Sequence, residues 1–340
     1  MSKGKKILFL SNRNLPTDGW GRYSYEIQKG LNHFPANIVH ALIEPLILKA
    51  LFFSFIGKKL VITVHGTHAF VLCKSKLGFL YRFALRRAKA IIVASRYTRK
   101  RLLETFPELE YKIQIIPLGT HLSISKERLR PIKQTFLMVG EIKQRKGVKE
   151  SILAFSQLVS HYPLARLEIV GKISNSNYVR EIKALIKTLD LEDRIFLKGI
   201  LSEKELKQTY REALCLLAPS INHGYHFEGF GIIHLEANSM GLPTIGSLNC
   251  GNEEVIKHGY NGFLVNQGDI VALKETMMKF LSKDFPWNKY SRQSIDWAKR
   301  HSWQTCCELH KKVYLQCLSN KGRDEILNDI KTETIVHFNN

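Results

Sequence analysis

The segment 227–247 reads FEGFGIIHLEANSMGLPTIGS and sets two carboxylates, Glu228 and Glu236, eight residues apart around a pair of glycines. On one unbroken helix they would point roughly 80° from one another. Gly229 and Gly231 bracket Phe230, which argues instead for a glycine loop feeding a helix from about Ile232. Glu228 then stands on the loop and Glu236 one turn inside the helix. Such a loop aims backbone N–H groups and the positive end of a helix at an anion, and glycine lets a ligand approach the main chain. Two readings of the acids stand side by side. One carboxylate holds a sugar hydroxyl and the other a ribose, or Glu228 only supports the helix N-terminus while Glu236 faces solvent.

A second segment, VGEIKQRKGV over 139–148, lies between an apolar strand pattern and a helical one. Arg145 and Lys146 stand beside Gly147 at the turn, where two cations and helix-end amides can clamp a pyrophosphate; an ordinary exposed turn has the same composition. The turn Asp18-Gly19-Trp20-Gly21-Arg22 follows the first strand and opens a helix over Tyr23–Leu31, but Ser24 takes the third glycine position of a dinucleotide fingerprint. His65 ends the apolar strand Leu60–Val64, at the carboxyl edge where open α/β sheets take ligands; a purely structural histidine fits there as well. Three motifs are missing: D-x-D in the first half or linker, the serine elbow G-x-S-x-G, and the Walker loop. His223 and His226 lack a convincing third metal ligand. The expectation is chemistry without a required metal ion.

These residues need elements to hold them, and the pattern supplies parallel α/β sheets. Ile7–Leu10, Leu60–Val64, Ala90–Ala94 and Ile113–Ile116 read as strands of the first half. The scheme restarts with Thr135–Val139, Arg166–Val170, Arg194–Leu197, Leu214–Leu217 and Pro243–Gly246, with amphipathic segments between. A chain of 340 residues exceeds what one core usually supports, so two domains are expected. Polar, basic Leu118–Gln134 reads as the linker. The stretch Leu42–Ile56 (LIEPLILKALFFSFI) contains Glu44, Pro45 and Lys49, too short and interrupted to span a bilayer; a buried helix is favoured over one lying in the membrane interface.

Charge is distributed unevenly. Residues 1–134 hold 24 Lys and Arg against 7 Asp and Glu, a balance of +17, and the remainder holds 27 against 23, or +4. Helical segments carry much of it: Arg82, Arg86, Arg87 and Lys89, then Arg96, Arg99, Lys100 and Arg101. Such a field favours phosphates, of nucleic acid or of anionic lipid. No nucleic-acid module is evident, so the anionic membrane surface is the expected partner, with a merely solvated basic surface and, less favoured, a nucleic-acid-binding protein as alternatives. The six cysteines form no C-x-x-C pair and read as reduced, buried thiols. Ile7–Leu10 is too short for a signal core, so a cytoplasmic protein, peripheral at the inner face of the membrane, is expected.

In this order and spacing the segments resemble glycosyltransferase family 4, retaining group 1 glycosyltransferases of GT-B fold. The likeness runs through GWGRYSYE, VITVHGTH, IIVASRYTRKRL, IIPLGT, VGEIKQRKG, EGFGIIHLEANSMGLPTIGS and GNEEVIKHGYNGFLV. It implies an α/β protein with two Rossmann-like domains facing across a cleft: an acceptor domain over 1–120, a linker over 121–134 and a donor domain over 135–302. A helix over 303–320 then crosses back to the first domain, ahead of a tail over 321–340. By the same resemblance Arg145 and Lys146 grip the donor diphosphate, Glu228 contacts the transferred sugar and His65 lies near it, forming the catalytic set. Donor contacts fall to Gly21, Gly140, Phe230, Gly231, Ile232 and, for the ribose, Glu236; Gly199, Ile200 and Leu201 pack the base. The implied co-substrate is a nucleotide diphosphate sugar, with no cofactor or metal, and the acceptor is a glycan or a lipid-linked glycan. Two departures stand out. Glu141 follows Gly140 where many members carry arginine, and Thr120-His121 replaces the usual aspartate after the linker glycine. The first domain is also short between Leu31 and Leu60. An inactive transferase-like partner protein is the alternative that Glu141 allows.

Overall fold

Aliphatic and β-branched runs form two parallel sheets, each in its own compact unit. The structure is a computed structural model and describes residues 6–12, 19–120, 128–131, 133–174 and 176–319. Asp18, most of the linker and the tail 321–340 lie outside the described residues. One unit runs to Gly119 and resumes at Trp303; the other is Thr120–Ser302.

The first unit holds β1 (Leu8–Leu10), β2 (Ile38–Ala41), β3 (Lys59–Val64), β4 (Ala90–Val93) and β5 (Ile113–Ile115), paired in sequence order. Its helices are α1 (Gly19–Leu31), α2 (Ile47–Phe55), α3 (Thr67–Lys74), α4 (Gly78–Arg87) and α5 (Arg96–Thr105). All four residues of β2 and of β4 are buried, as a sheet covered on both faces requires. The sequence reading missed β2, because its short run IVHA merges with the apolar stretch that follows. That stretch also departs from expectation. Within it α2 buries Ile47, Ala50, Leu51 and Ser54 but exposes Phe52 and Phe55, so the helix is buried on one side only.

The second unit holds β6 (Thr135–Val139), β7 (Arg166–Val170), β8 (Ile195–Gly199), β9 (Cys215–Ala218), β10 (Thr244–Ser247) and β11 (Gly262–Val265). Around them lie α6 (Val148–Ser156), α7 (Asn177–Thr188), α8 (Glu203–Glu212), α9 (Ile232–Ser239), α10 (Asn252–Val255), α11 (Ile270–Leu281) and α12 (Trp287–Lys299). The strand order β11-β10-β9-β6-β7-β8 reverses between β6 and β9. In open α/β sheets that reversal opens a crevice at the strand carboxyl ends. One core cluster includes Phe136, Phe155, Phe280 and Trp287, each fully buried and contributing roughly 1.5–3 kcal/mol. Arg128 and Arg130 of the expected linker are fastened to this unit. The Arg128 guanidinium lies over the Trp287 ring and donates to the Ala213 carbonyl, and Arg130 donates to the Phe280 carbonyl at 2.9 Å.

The last helix, α13 (Trp303–Leu318), completes the first unit. Its His310 and Tyr314 enter a fully buried polar chain. Tyr23 pairs with His310 Nε2 at 2.8 Å and with Thr63 at 2.7 Å, Thr63 with His40 Nε2 at 2.8 Å, and His40 Nδ1 with Tyr314 at 2.7 Å. The chain thereby couples α1, β2 and β3 to a helix some 250 residues downstream or more. All six cysteines are buried and unpaired.

Candidate active site

The second unit gathers its charged residues where the strand order reverses. After β6 the chain passes Gly140, turns through Gln144–Lys146 and enters α6 from Gly147, whose φ is +67°. Gly147 must be glycine twice over: the backbone is left-handed, and a Cβ would collide with the Pro219 carbonyl beyond β9. The Ile221 amide donates to the Arg145 carbonyl at 2.9 Å, which ties this turn to the loop leading to α9.

That loop delivers Glu228 to the turn's two cations. Arg145 Nη1 donates to Glu228 Oε2 at 3.0 Å and Lys146 Nζ to the same oxygen at 2.5 Å. Burial alone would raise the Glu228 carboxyl; the charges of Lys146 and then Arg145, with their hydrogen bonds, hold it down at about 2. Glu228 therefore stays ionised, and the trio carries one net positive charge. The loop is fixed by the Gly251 amide, which donates to the Glu228 carbonyl at 2.7 Å. Gly231, at φ +83°, begins α9 without a side-chain cap. The first amides of α9 and the turn before α6 thus meet a cationic centre, an arrangement suited to a doubly charged anion. Val139, Gly140, Glu141, Lys146 and Ala218 line a recess here.

Glu236 is half-buried on α9 and accepts from the buried Tyr210 hydroxyl at 3.2 Å. The alternative that it simply faces solvent is set aside. Phe230 and Gly231 are buried and Ile232 is half-buried, all on the same loop-to-helix corner. Gly199 ends β8 at the edge of the same sheet and Ile200 and Leu201 follow it, with Ile200 78% exposed. Glu141 pairs with Lys143 at 2.8 Å, so that cation does not stand in for the arginine many members carry.

His65 and Gly21 belong to the first unit. His65 follows β3; its Nε2 donates to the Leu42 carbonyl at 2.8 Å, its amide donates to Glu44 at 2.7 Å, and its ring stacks on Trp20. The Gly19–Arg22 stretch is helical from Gly19, so Gly21 lies inside α1 and not on a loop ahead of it.

Two site residues went unnoticed in the sequence. His234, on α9, is completely buried with no hydrogen-bonding partner for either ring nitrogen among the described residues, and burial pushes its imidazole down to about 3. Asn252 anchors α10 by donating to the Ala218 carbonyl at 3.1 Å. The polar letter within IIHLE is the signal that marks His234; Asn252 has none. Among the described residues no group of three His, Cys, Asp or Glu is placed to hold a metal ion.

Residues 122–300 match the family described as glycosyl transferases group 1, and residues 5–123 match glycosyltransferase family 4. The poly(glycerol-phosphate) alpha-glucosyltransferase of Bacillus subtilis is 26% identical over half of this chain but only 24% of its own length. An uncharacterized glycosyltransferase of Methanocaldococcus jannaschii is 26% identical over 75% of this chain and 67% of its own. Among solved structures, Anabaena HepE in complex with UDP and glucose superposes with a TM-score of 0.74 at 18% identity, over 91% of this chain and 98% of that one. A Rickettsia africae glycosyltransferase gives 0.71 at 18%, over 94% and 100%. The last two likenesses are of fold: two parallel-sheet α/β domains of GT-B type.

Proposed function

The chain belongs to the group 1 glycosyl transferases, and from that premise we propose that it moves a hexose-type sugar from a nucleoside diphosphate onto a glycan or lipid-linked acceptor with retention of configuration. The observation that carries this is the convergence of Arg145 and Lys146 on Glu228 at the strand-order reversal. The relatives' names speak for sugar transfer in polymer synthesis, and the HepE complex holds UDP.

A donor diphosphate entering this centre competes with Glu228 for the two cations. Glu228 is then released to accept from a hydroxyl of the transferred sugar, while Glu236 accepts from the ribose. In the transfer, the bond from the anomeric carbon to the phosphate oxygen breaks as the bond to the acceptor oxygen forms on the same face. The acceptor proton passes to the departing phosphate, whose growing charge Arg145 and Lys146 stabilise. No protein nucleophile is required, and neither glutamate acts as one. Two fixed cations supply the charge stabilisation that a divalent ion supplies elsewhere, so transfer should survive chelation by EDTA. Product anomers read by NMR test retention; an inverted product would end this mechanism. The basic charge of the first unit supports a position at an anionic membrane, where a lipid-linked acceptor would lie.

A further inference from the structure

One face of the first unit combines exposed aromatic rings with basic side chains drawn from a stretch of chain free of acids. On α2 Phe52 and Phe55 are exposed, as is Ile56 just after it, by 64%; on α4, Phe79 and Phe83 are exposed, the first by 67%. Phe52 and Ile56 stand one turn apart, as do Phe79 and Phe83, so each pair shares a helix face. The Phe55 and Phe83 rings are nearly parallel at 12° with centroids 6.3 Å apart, which joins the two helices into one surface. The Arg87 guanidinium lies over Phe55 at 4.6 Å and donates from Nε to Ser54 at 2.9 Å. Contiguous exposed rings rimmed by polar groups mark a contact surface rather than ordinary scatter.

Its charge says what the contact is. From residue 45 through residue 103 the chain has 13 lysines and arginines and no aspartate or glutamate. Lys49, Arg82 and Arg86 are exposed, Arg86 with its Nε on the Glu108 carboxylate at 2.7 Å, and on α4 the arginines alternate with Phe79 and Phe83 along one face. We propose that this face enters the headgroup layer of an anionic bilayer, with Phe52, Phe55, Phe79 and Phe83 among the acyl chains and Lys49, Arg82 and Arg86 at the lipid phosphates. A basic helix face that also presents large apolar side chains lies in the interface, since neither property alone holds it there. A second copy of the chain is a poor occupant, because a two-fold contact sets the acid-free stretch against itself. A dissolved polyanion satisfies the cations and leaves the rings in water.

The inference deepens the membrane placement proposed above and rests on it. The test uses the full chain with phosphatidylcholine vesicles, with and without phosphatidylglycerol, at low and high salt. The double variant Phe52→Ser with Phe79→Ser should partition about tenfold less onto the anionic vesicles at both salt levels. Lys49→Gln with Arg82→Gln should lose only the low-salt advantage. Phe79→Trp should shift its emission to the blue on these vesicles and be quenched by brominated lipid. Thermal melts and the nucleotide response of every variant, read in the same samples, confirm that the fold and the donor site are intact. If the glutamine pair loses binding while the serine pair binds as wild type, charge-only docking stands and insertion falls. Wild type that ignores anionic vesicles overturns both, whether or not it responds to nucleotide. A wild type that dimerises through this face, with the serine pair monomeric and neither bound to lipid, overturns the proposal in favour of self-association.

Discussion

Lys146 and Arg145 both direct their charge to one oxygen of Glu228. Removing Lys146 as alanine should lower turnover by hundreds-fold, as losing one transition-state contact costs about 2.7–4 kcal/mol; near-normal release of nucleoside diphosphate would sink that role. Glu228→Gln should act in the opposite sense on binding. With the competing carboxylate neutralised, the free nucleotide binds at least as well as to wild type, while sugar transfer collapses; calorimetry with nucleotide alone beside a transfer assay separates the two. The three residues were singled out in the sequence by the glycines near them, but spacing alone left an exposed turn and a helix-supporting acid open, and their roles came with the family resemblance. His234 went unread although it is the polar letter in an apolar run, and the Tyr210–Glu236 bond left no local pattern because it joins residues 26 apart.

Elements hold these groups through glycines and buried polar chains. Gly147→Ala forces a side chain into a left-handed turn against the Pro219 carbonyl, and should cost about 1–3 kcal/mol while displacing both cations; a melt and a nucleotide titration together register it. In the first unit the buried His310 is pushed down to about 4 by desolvation, and His40 is lowered too, by burial and then by the neighbouring His310. Below the ordinary imidazole value of 6.5, the unfolded chain takes up protons that the folded chain refuses. Stability should therefore be intact above pH 6.5 and fall by about 3 kcal/mol for His310 alone as pH drops to about 4. His310→Gln should flatten that slope in denaturant melts taken across the window; an unchanged slope would remove His310 from the account. Periodicity located most strands, because fully buried parallel strands read as continuous aliphatic runs. It passed over β2 and β11, four residues each and hidden against an apolar stretch or among turn residues. It also could not say which side of α2 would be covered, a matter settled by the packing of β2 and β3.

Across the whole molecule, the division of charge and the restart of the strand scheme near residue 135 were plain in the sequence; the structure divides between Gly119 and Thr120 and returns the chain from Trp303 to the first unit. Within the expected linker Arg128 and Arg130 look merely polar in sequence, because the carbonyls and the Trp287 ring that bind them lie 85 to 160 residues away in the chain. The proposed function gives the two halves different tasks, donor chemistry in the nearly neutral unit and surface docking in the basic one. The central claim is that the centre formed by Arg145, Lys146 and Glu228 takes a nucleoside diphosphate without metal. It is tested most directly by thermal melts with UDP, GDP and ADP in EDTA, on wild type and Lys146→Ala. One nucleotide at a hundred times its Kd should stabilise wild type by about 2.7 kcal/mol and leave Lys146→Ala unmoved. No response from wild type to any of the three, or an equal response from the variant, would contradict it.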